Sequence, residues 1–426
     1  MGGREQGRPR RRWLRRALAV AGVVALFLAL DQLGIRRVSG KDFPPQDPLA
    51  PALRAHVDRL AQPEWGGRKP GTPGNEEAAR YLARELEAAG VAPLPSLGGY
   101  LAPLPAGRSG GSLGPNVLGY LPGADPGAQG AIVLGAHFDH LGETEHGVAL
   151  GADDNAAAVA VLLGALPSLR AERLRRPVVI AFFNTEEAPY FGTPLQGSQA
   201  FVAKLPPEVG ETASIRLAVI LDLVGGIVWR PMADTLLAAG AEKAEGLPEI
   251  VDGVREEGLA VRRLGIHMVE NLPGYRPQPV SDYDVFRDRG VPFLFLSSGR
   301  TPRYHQPTDL PDTLHYDRMA RTARWIAALT VAVDRRDAPL RFEAAGQDLK
   351  ADAATMRWAL DQAALPWSSV PGTGPITAVR LLGDRARIRA MSEAGRAPTP
   401  EDQLDLERAS FRLQCLLYSF PACFTF

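Results

Sequence analysis

Four apolar, β-branched runs limit what this chain can fold into: AIVLGA (131–136), PVVIAFF (177–183), IRLAVILDLVG (215–225) and VPFLFLSS (291–298). A strand with one face in water alternates apolar and polar residues. These runs barely alternate, so both of their faces must be covered. Helical patterns lie between them, over 155–169, 196–204, 247–257 and 282–288, and a further one over 316–333 follows the last run. Strands alternating with helices predict an α/β fold whose sheet is sandwiched between helical layers.

Upstream, a helix is expected from about Leu53. GTPGNEEAARYLARELEAAG gives a second, with Asn75 as N-cap, Glu76 and Glu77 in the first turn and Gly90 at the end. The Gly-, Pro- and Leu-rich stretch 100–114 reads as a loop. Beyond Asp337 the pattern changes to helical patches, DAATMRWALDQAALP and PEDQLDLERASFRLQCLLYSF, joined by a Gly/Pro-rich connector. No chemistry can be read from that extension.

Lys+Arg and Asp+Glu balance at 48 each, so no global field favours nucleic acid as a partner. The start is uneven, however. Residues 1–16 carry seven arginines and one glutamate, and ALAVAGVVALFLAL (17–30) follows without a polar side chain. Extended to Ile35, this run predicts a single membrane anchor, with the arginines in the cytoplasm and the rest of the chain on the periplasmic or extracellular side. A cleaved signal sequence and secretion is the alternative. Cys415 and Cys423 lie together near the C-terminus, far from every histidine considered below. They read as a local staple or as apolar side chains, and not as metal ligands.

In open α/β sheets, ligands gather beyond the C-terminal ends of the strands. The first run delivers His137 and Asp139 there, and the loop that follows delivers Asp153 and Asp154. The second run delivers Glu186 and Glu187, the third Asp222, and the segment after the fourth Tyr304 and His305. Each has a bland reading: a loop histidine, a solvated acid pair, an N-cap aspartate. Asp222 resists that reading, because an acid inside VILDLVG is buried and needs a partner or a cation. Two histidines and three carboxylates can build two adjacent divalent sites that share one carboxylate. Zinc suits such nitrogen and oxygen ligands, and cobalt or manganese also fits. Adjacent glutamates could divide the work, one binding a metal and one taking a proton from water.

The motifs GAHFDHLG, GADDNAAAVAVLL, FFNTEEAPYFGTPLQGSQAF, LDLVGG and YHQPTDLPDTLHYDRM, in this order and spacing, resemble the M28 zinc aminopeptidases, and the likeness covers about residues 50–335. The resemblance implies a mixed, mostly parallel eight-stranded central sheet flanked by helices. It implies His137, Asp154, Glu187, Asp222 and His305 as ligands of two zinc ions, with Asp154 bridging. It further implies Glu186 as general base, Asp139 as the acid that orients His137, and Tyr304 as a donor to the oxyanion. His140 and His146 match no ligand position and read as loop residues. The segment APYFGTPLQGS departs from the family's short leucine-rich form, at a loop expected to border the substrate pocket.

The expected organisation is a basic segment (1–16), an anchor or signal sequence (17–35), a linker (36–50), an M28-like metallopeptidase domain (51–336) and a C-terminal helical extension (337–426). The function implied is a zinc-dependent aminopeptidase acting on peptides through a metal-bridging hydroxide, with Glu186 as base. Alternatives on the same fold are a single-zinc glutaminyl cyclase, a carboxypeptidase or dipeptidase, and a non-catalytic receptor-like relative.

Overall fold

A computed structural model describes Gly22 and residues 38–107, 110–271, 278–363, 374–394, 396 and 398–415. The expected basic segment and anchor therefore fall, Gly22 apart, outside the described residues. No helix among the described residues is long and apolar enough to cross a membrane.

Nine strands form the central sheet: β1 (Ala92–Pro93), β2 (Leu101–Pro103), β3 (Pro115–Leu121), β4 (Ala131–His137), β5 (Val178–Phe183), β6 (Ile215–Leu221), β7 (Thr235–Ala239), β8 (Ala260–Leu264) and β9 (Phe293–Ser297). Their order is β1-β3-β5-β4-β6-β9-β7-β8, with β2 also paired to β3. The central strands β5, β4, β6 and β9 run parallel, while β1–β3, β2–β3, β3–β5 and β9–β7 are antiparallel. The sheet is thus mixed with a parallel centre. It has one strand more than the eight expected, because the stretch read as a loop over 100–114 contributes β2.

The four apolar runs are the four central strands, and their burial explains why they do not alternate. Ile132 and Leu134 of β4 enter one core and Val133 enters another on the opposite face. Leu134 is level with Ile180 on β5 and with Val219 on β6, so neighbouring strands stack their side chains in register. The first face is covered by α1 (Ala50–Leu60), α2 (Pro73–Ala88) and α3 (Ala157–Ala171), and also by the long helix Tyr316–Arg335. The second face is covered by α4 (Gly197–Ala203) and the short helix Tyr283–Asp288.

Several boundaries differ from the sequence reading. Thr72, and not Asn75, caps α2, its hydroxyl accepting from the Asn75 amide at 3.4 Å. Asn75 is instead fully buried, donating to the Arg68 carbonyl and to Asn184. The helix expected over 247–257 is shorter, as α5 (Leu247–Gly253), and the strands β7 and β8 flank it. Within the stretch read as a linker, the amides of Gln46 and Asp47 donate to the Asp317 carboxylate, and Asp47 pairs with Arg324.

The remaining helices are α6 (His267–Glu270), α7 (Tyr283–Asp288), α8 (Tyr316–Arg335), α9 (Leu349–Ala363), α10 (Gly374–Glu393) and α11 (Pro400–Cys415). Among its described residues the extension therefore holds three helices, α10 occupying much of what reads as a connector. Cys415 is buried at the end of α11, and Cys423 lies outside the described residues. The extension docks against β8 and α6 through an apolar cluster that includes Leu264, Met268, Met356, Leu360, Leu406 and Leu413. One polar clamp pins it. His267 lies with Nε2 2.9 Å from Asp352 of α9 and Nδ1 2.9 Å from Glu407 of α11.

Burial opposes a charge on His267, yet the two carboxylates outweigh it and raise its pKa from 6.5 to about 9. Glu407 is buried too, but His267, Gln403 and Asn271 hold its carboxyl below the usual value. A raised histidine stabilises fully below pH 6.5 and loses that contribution as pH climbs through about 9, whereas a lowered glutamate loses its contribution in acid. Docking of the extension should therefore weaken from neutral pH into the alkaline range. Hydrogen exchange of residues 349–415 should be faster at pH 10 than at pH 6 by roughly tenfold or more after correction for intrinsic rates. His267→Gln should flatten this dependence. An unchanged profile in that variant would exclude the clamp as its source.

Candidate metal centre

Four strand ends converge on one point. His137 closes β4, Glu186 and Glu187 follow β5, Asp222 follows β6, and His305 lies on the segment after β9. The turn at 152–156, between β4 and α3, brings in Asp154. Gly151 precedes it at φ 64°, where an added Cβ would lie 2.0 Å from the Asp154 carbonyl oxygen. A side chain at this position would therefore be excluded by space as well as by conformation. The two aspartates of GADDN separate cleanly. Asp153 turns away, its Oδ1 accepting from the amides of Gly225 and Gly226 at 2.8 Å each, while Asp154 turns inward.

The Asp154 carboxylate lies between two histidines. Its Oδ1 is 3.4 Å from His137 Nε2 and its Oδ2 is 3.3 Å from His305 Nε2. Asp222 Oδ1 is 3.6 Å and Glu186 Oε2 3.8 Å from His137 Nε2, and Glu187 Oε2 is 3.4 Å from His305 Nε2. Donors arranged tetrahedrally around a common zinc ion at 2.0–2.1 Å stand about 3.3 Å apart. The observed separations match that edge length, and they are long for direct hydrogen bonds.

Most buried polar atoms in folded proteins find partners, and the orphans outside this centre, such as Trp229 Nε1 and Thr322 Oγ1, are scattered singly. Here His137 Nε2, Asp154 Oδ2, Asp222 Oδ1, Glu187 Oε1 and His305 Nε2 are all buried without a hydrogen bond. Orphaned nitrogen and oxygen donors converging in this way fit divalent cations and little else. Two groups emerge, His137–Glu186–Asp222 and His140–Asp154–Glu187.

His140, which matches no ligand position in the sequence reading, lies in a loop as expected and also falls in the second group. It is fully buried, its Nδ1 is 2.8 Å from Glu187 Oε1 and 3.7 Å from Asp154 Oδ2, and neither ring nitrogen has a hydrogen-bond partner. His140 is thus a potential donor to the second site. The signal was its place three residues after His137, beside the strand end. His146, in contrast, is exposed in a hairpin.

Asp139 acts on backbone. Its two carboxylate oxygens accept from the amides of Glu186 and Glu187 at 3.1 and 3.2 Å. His137 Nδ1 is nearer the Asp139 carbonyl oxygen, at 3.2 Å, than its carboxylate, at 3.7 Å. A proton on Nδ1 leaves the Nε2 lone pair aimed into the site. Arg68, absent from the sequence reading, is buried and bonds the carbonyls of Leu60, Phe138, Leu150 and Gly151, which ties together the loops that carry His140 and Asp154. Tyr304 stacks on His305 with ring centroids 3.7 Å apart, and the Arg300 guanidinium lies over the Tyr304 ring, 4.7 Å from its centroid.

Backbone strain is concentrated here. Among the described residues, the non-glycine positions at positive φ are Arg68, Thr185, Leu223 and His305, at 55–60°. Each belongs to, or adjoins, a residue of the centre, and left-handed conformations of this kind persist only where surroundings enforce them.

Residues 116–330, just over half of the chain and the whole of this centre, match the family described as peptidase family M28. The chain belongs to peptidase family M28. The uncharacterized protein YfbL of Escherichia coli (strain K12) is 25% identical over 218 residues, covering 46% of this chain and 65% of that protein, slightly less than two thirds of its length. LapB from Legionella pneumophila superposes with a TM-score of 0.51 at 19% identity, over 67% of this chain and 72% of that one. The LapA aminopeptidase of the same organism gives 0.51 at 15% identity, over 67% and 72%. At these identities the structural likeness establishes the fold, and the M28 assignment rests on the family match.

If one carboxylate serves both sites of this M28 protein, Asp154→Ala should lose both ions, while Asp222→Asn should lose one. His140→Ala should weaken the second site by roughly 10–100-fold. Metal content after dialysis, measured by plasma mass spectrometry, checks all three. Two ions retained by Asp154→Ala would exclude the shared carboxylate.

Proposed function

We propose that this M28 protein is a zinc-dependent aminopeptidase that hydrolyses the first peptide bond of peptides with a free N-terminus. The observation that carries the reading is the Asp154 carboxylate placed between His137 and His305, because a shared ligand supports two metals acting on one bond. His137, Asp154 and Asp222 would hold one zinc ion, and Asp154, Glu187 and His305 the other, with His140 as an added donor. Bound there, the pair would supply Lewis acidity toward the scissile carbonyl and make water a nucleophile near neutral pH.

The chain's own groups supply the rest. Glu186 stands at the first group with its amide fixed by Asp139, so its carboxylate can take a proton from the attacking water and pass it to the departing amine as the C–N bond breaks. Burial raises the Glu186 carboxyl well above the usual glutamate value. His137 opposes that shift, and Asp282, Glu187 and Asp222 add to it. A carboxylate with raised proton affinity suits a shuttle. Burial also holds the Tyr304 hydroxyl well above the ordinary tyrosine value, so it stays protonated and can donate to the developing oxyanion.

Glu186→Gln should lower kcat by roughly 10²–10⁴-fold with zinc content unchanged. Near-normal turnover would remove Glu186 from its role. A panel distinguishes the reactions: an aminoacyl anilide with a free amine should be cleaved, and its N-acetylated counterpart should resist. Conversion of an N-terminal Gln peptide to its pyroglutamyl form with release of ammonia and no peptide-bond cleavage, or cleavage only from the C-terminus, would replace the aminopeptidase with a cyclase or a carboxypeptidase.

A further inference from the structure

An apolar cavity of about 180 Å³ opens beside the centre, with Asp222, Leu223 and Tyr304 in its wall. The APYFGTPLQGS loop, expected from the sequence to border the substrate pocket, contributes none of this lining. The opposite wall comes from the extension: Thr355, Met356 and Ala359 of α9, and Ser410, Leu413 and Gln414 of α11. Among the described residues, Asp222 and Arg300 are the only charged ones in the lining, and both sit on loops of the metal centre. A carboxylate or ammonium carried deep into this space would find no partner there, whereas methylene and aromatic groups would be covered.

We infer that the C-terminal helices form the specificity wall for the side chain next to the attacked carbonyl, and that they select a large apolar N-terminal residue such as Met, Leu or Phe. This rests on the aminopeptidase reading above. Tyr304 and Asp222 belong both to the centre and to the cavity rim, so a carbonyl held at the centre places its own residue's side chain at the mouth. Size agrees, since an apolar cavity of roughly 150 Å³ accommodates benzene. The wall contributed by the extension includes Met356, Ala359 and Leu413. Methionine adapts its shape to what it contacts, which fits a pocket that accepts both linear and ring side chains.

The test uses the full-length, zinc-loaded protein and the 4-nitroanilides of Ala, Leu, Met and Phe. The wild type should favour the three large residues over Ala by tenfold or more in kcat/KM, which is within what added methylenes achieve in an apolar pocket. Ala359→Phe, which fills the cavity from the extension's wall, should erase that preference through KM while leaving the Ala substrate within about threefold and zinc content unchanged. Met356→Ala, which enlarges the pocket and is gentler on folding, should raise the Phe-to-Leu ratio at least threefold. An equal effect of both variants on all four substrates, or none, would overturn the role of the wall while leaving the aminopeptidase intact. Failure of the wild type to cleave any of the four would overturn the aminopeptidase reading, and this inference with it.

Discussion

The structure is governed by carboxylates held out of water at one end of a parallel sheet. Asp139, Asp153, Asp154, Glu186, Glu187, Asp222, Asp282 and Asp309 are all buried there, and an unpaired buried carboxylate is among the least tolerable groups in a protein. The fold disposes of half of them with its own donors. Asp139 takes the amides of Glu186 and Glu187, Asp153 those of Gly225 and Gly226, Asp309 those of Asp153 and Asp154, and Asp282 the side chains of Gln196 and Ser198. The other four, Asp154, Glu186, Glu187 and Asp222, face inward together. Arg68 makes no hydrogen bond to them, its guanidinium bonding backbone carbonyls, and its charge reaches Asp154 and Glu187 only through space. The acids that take these donors build the scaffold on which the other four converge, and external cations would complete the charge balance there. This division explains why the two aspartates of GADDN have unlike surroundings: backbone geometry, and not residue type, decides that Asp154 and not Asp153 turns inward.

The centre was legible in the sequence to the extent that strand ends were legible. His137, Asp154, Glu186, Glu187 and Asp222 follow long apolar runs whose burial on both faces leaves only one place for a polar terminus. His305 could be placed because it also follows such a run, after a loop. What escaped lacked a period. Arg68 is a lone arginine in a Gly- and Pro-rich turn, and its neighbourhood is set by carbonyls 8 to 83 residues away. His140 looked like loop because the chain leaves regular structure at His137, although the path stays inside the protein. Thr72 displaced Asn75 as the cap because Asn75 is drawn into the core by Asn184, a contact no local pattern encodes. The strands β7 and β8 were hidden by their composition: TLLAA is short, and AVRRL carries two arginines, as suits a strand at the margin of a sheet.

That margin gives the C-terminal helices a first physical reason to be where they are. β8 ends the sheet and would expose unpaired backbone groups to other chains. The extension covers this side. The Thr355 hydroxyl donates to the Arg263 carbonyl at 2.6 Å, Arg263 pairs with Asp348, and Arg262 lies over the Trp358 ring at 4.0 Å. Covering an edge, however, demands little of a helix beyond a complementary face and a few polar contacts. It does not require that the same helices continue past the edge to within reach of Tyr304 and Asp222, nor that they present Met356, Ala359 and Leu413 to an apolar hollow there. Asp352, Thr355, Met356 and Ala359 follow one another at helical spacing on a single face of α9, so the face that bonds His267 and β8 also lines the cavity, and Thr355 does both. A device that only shielded the sheet would be indifferent to the size of Ala359. A device that also bounds the substrate has every reason to keep that position small.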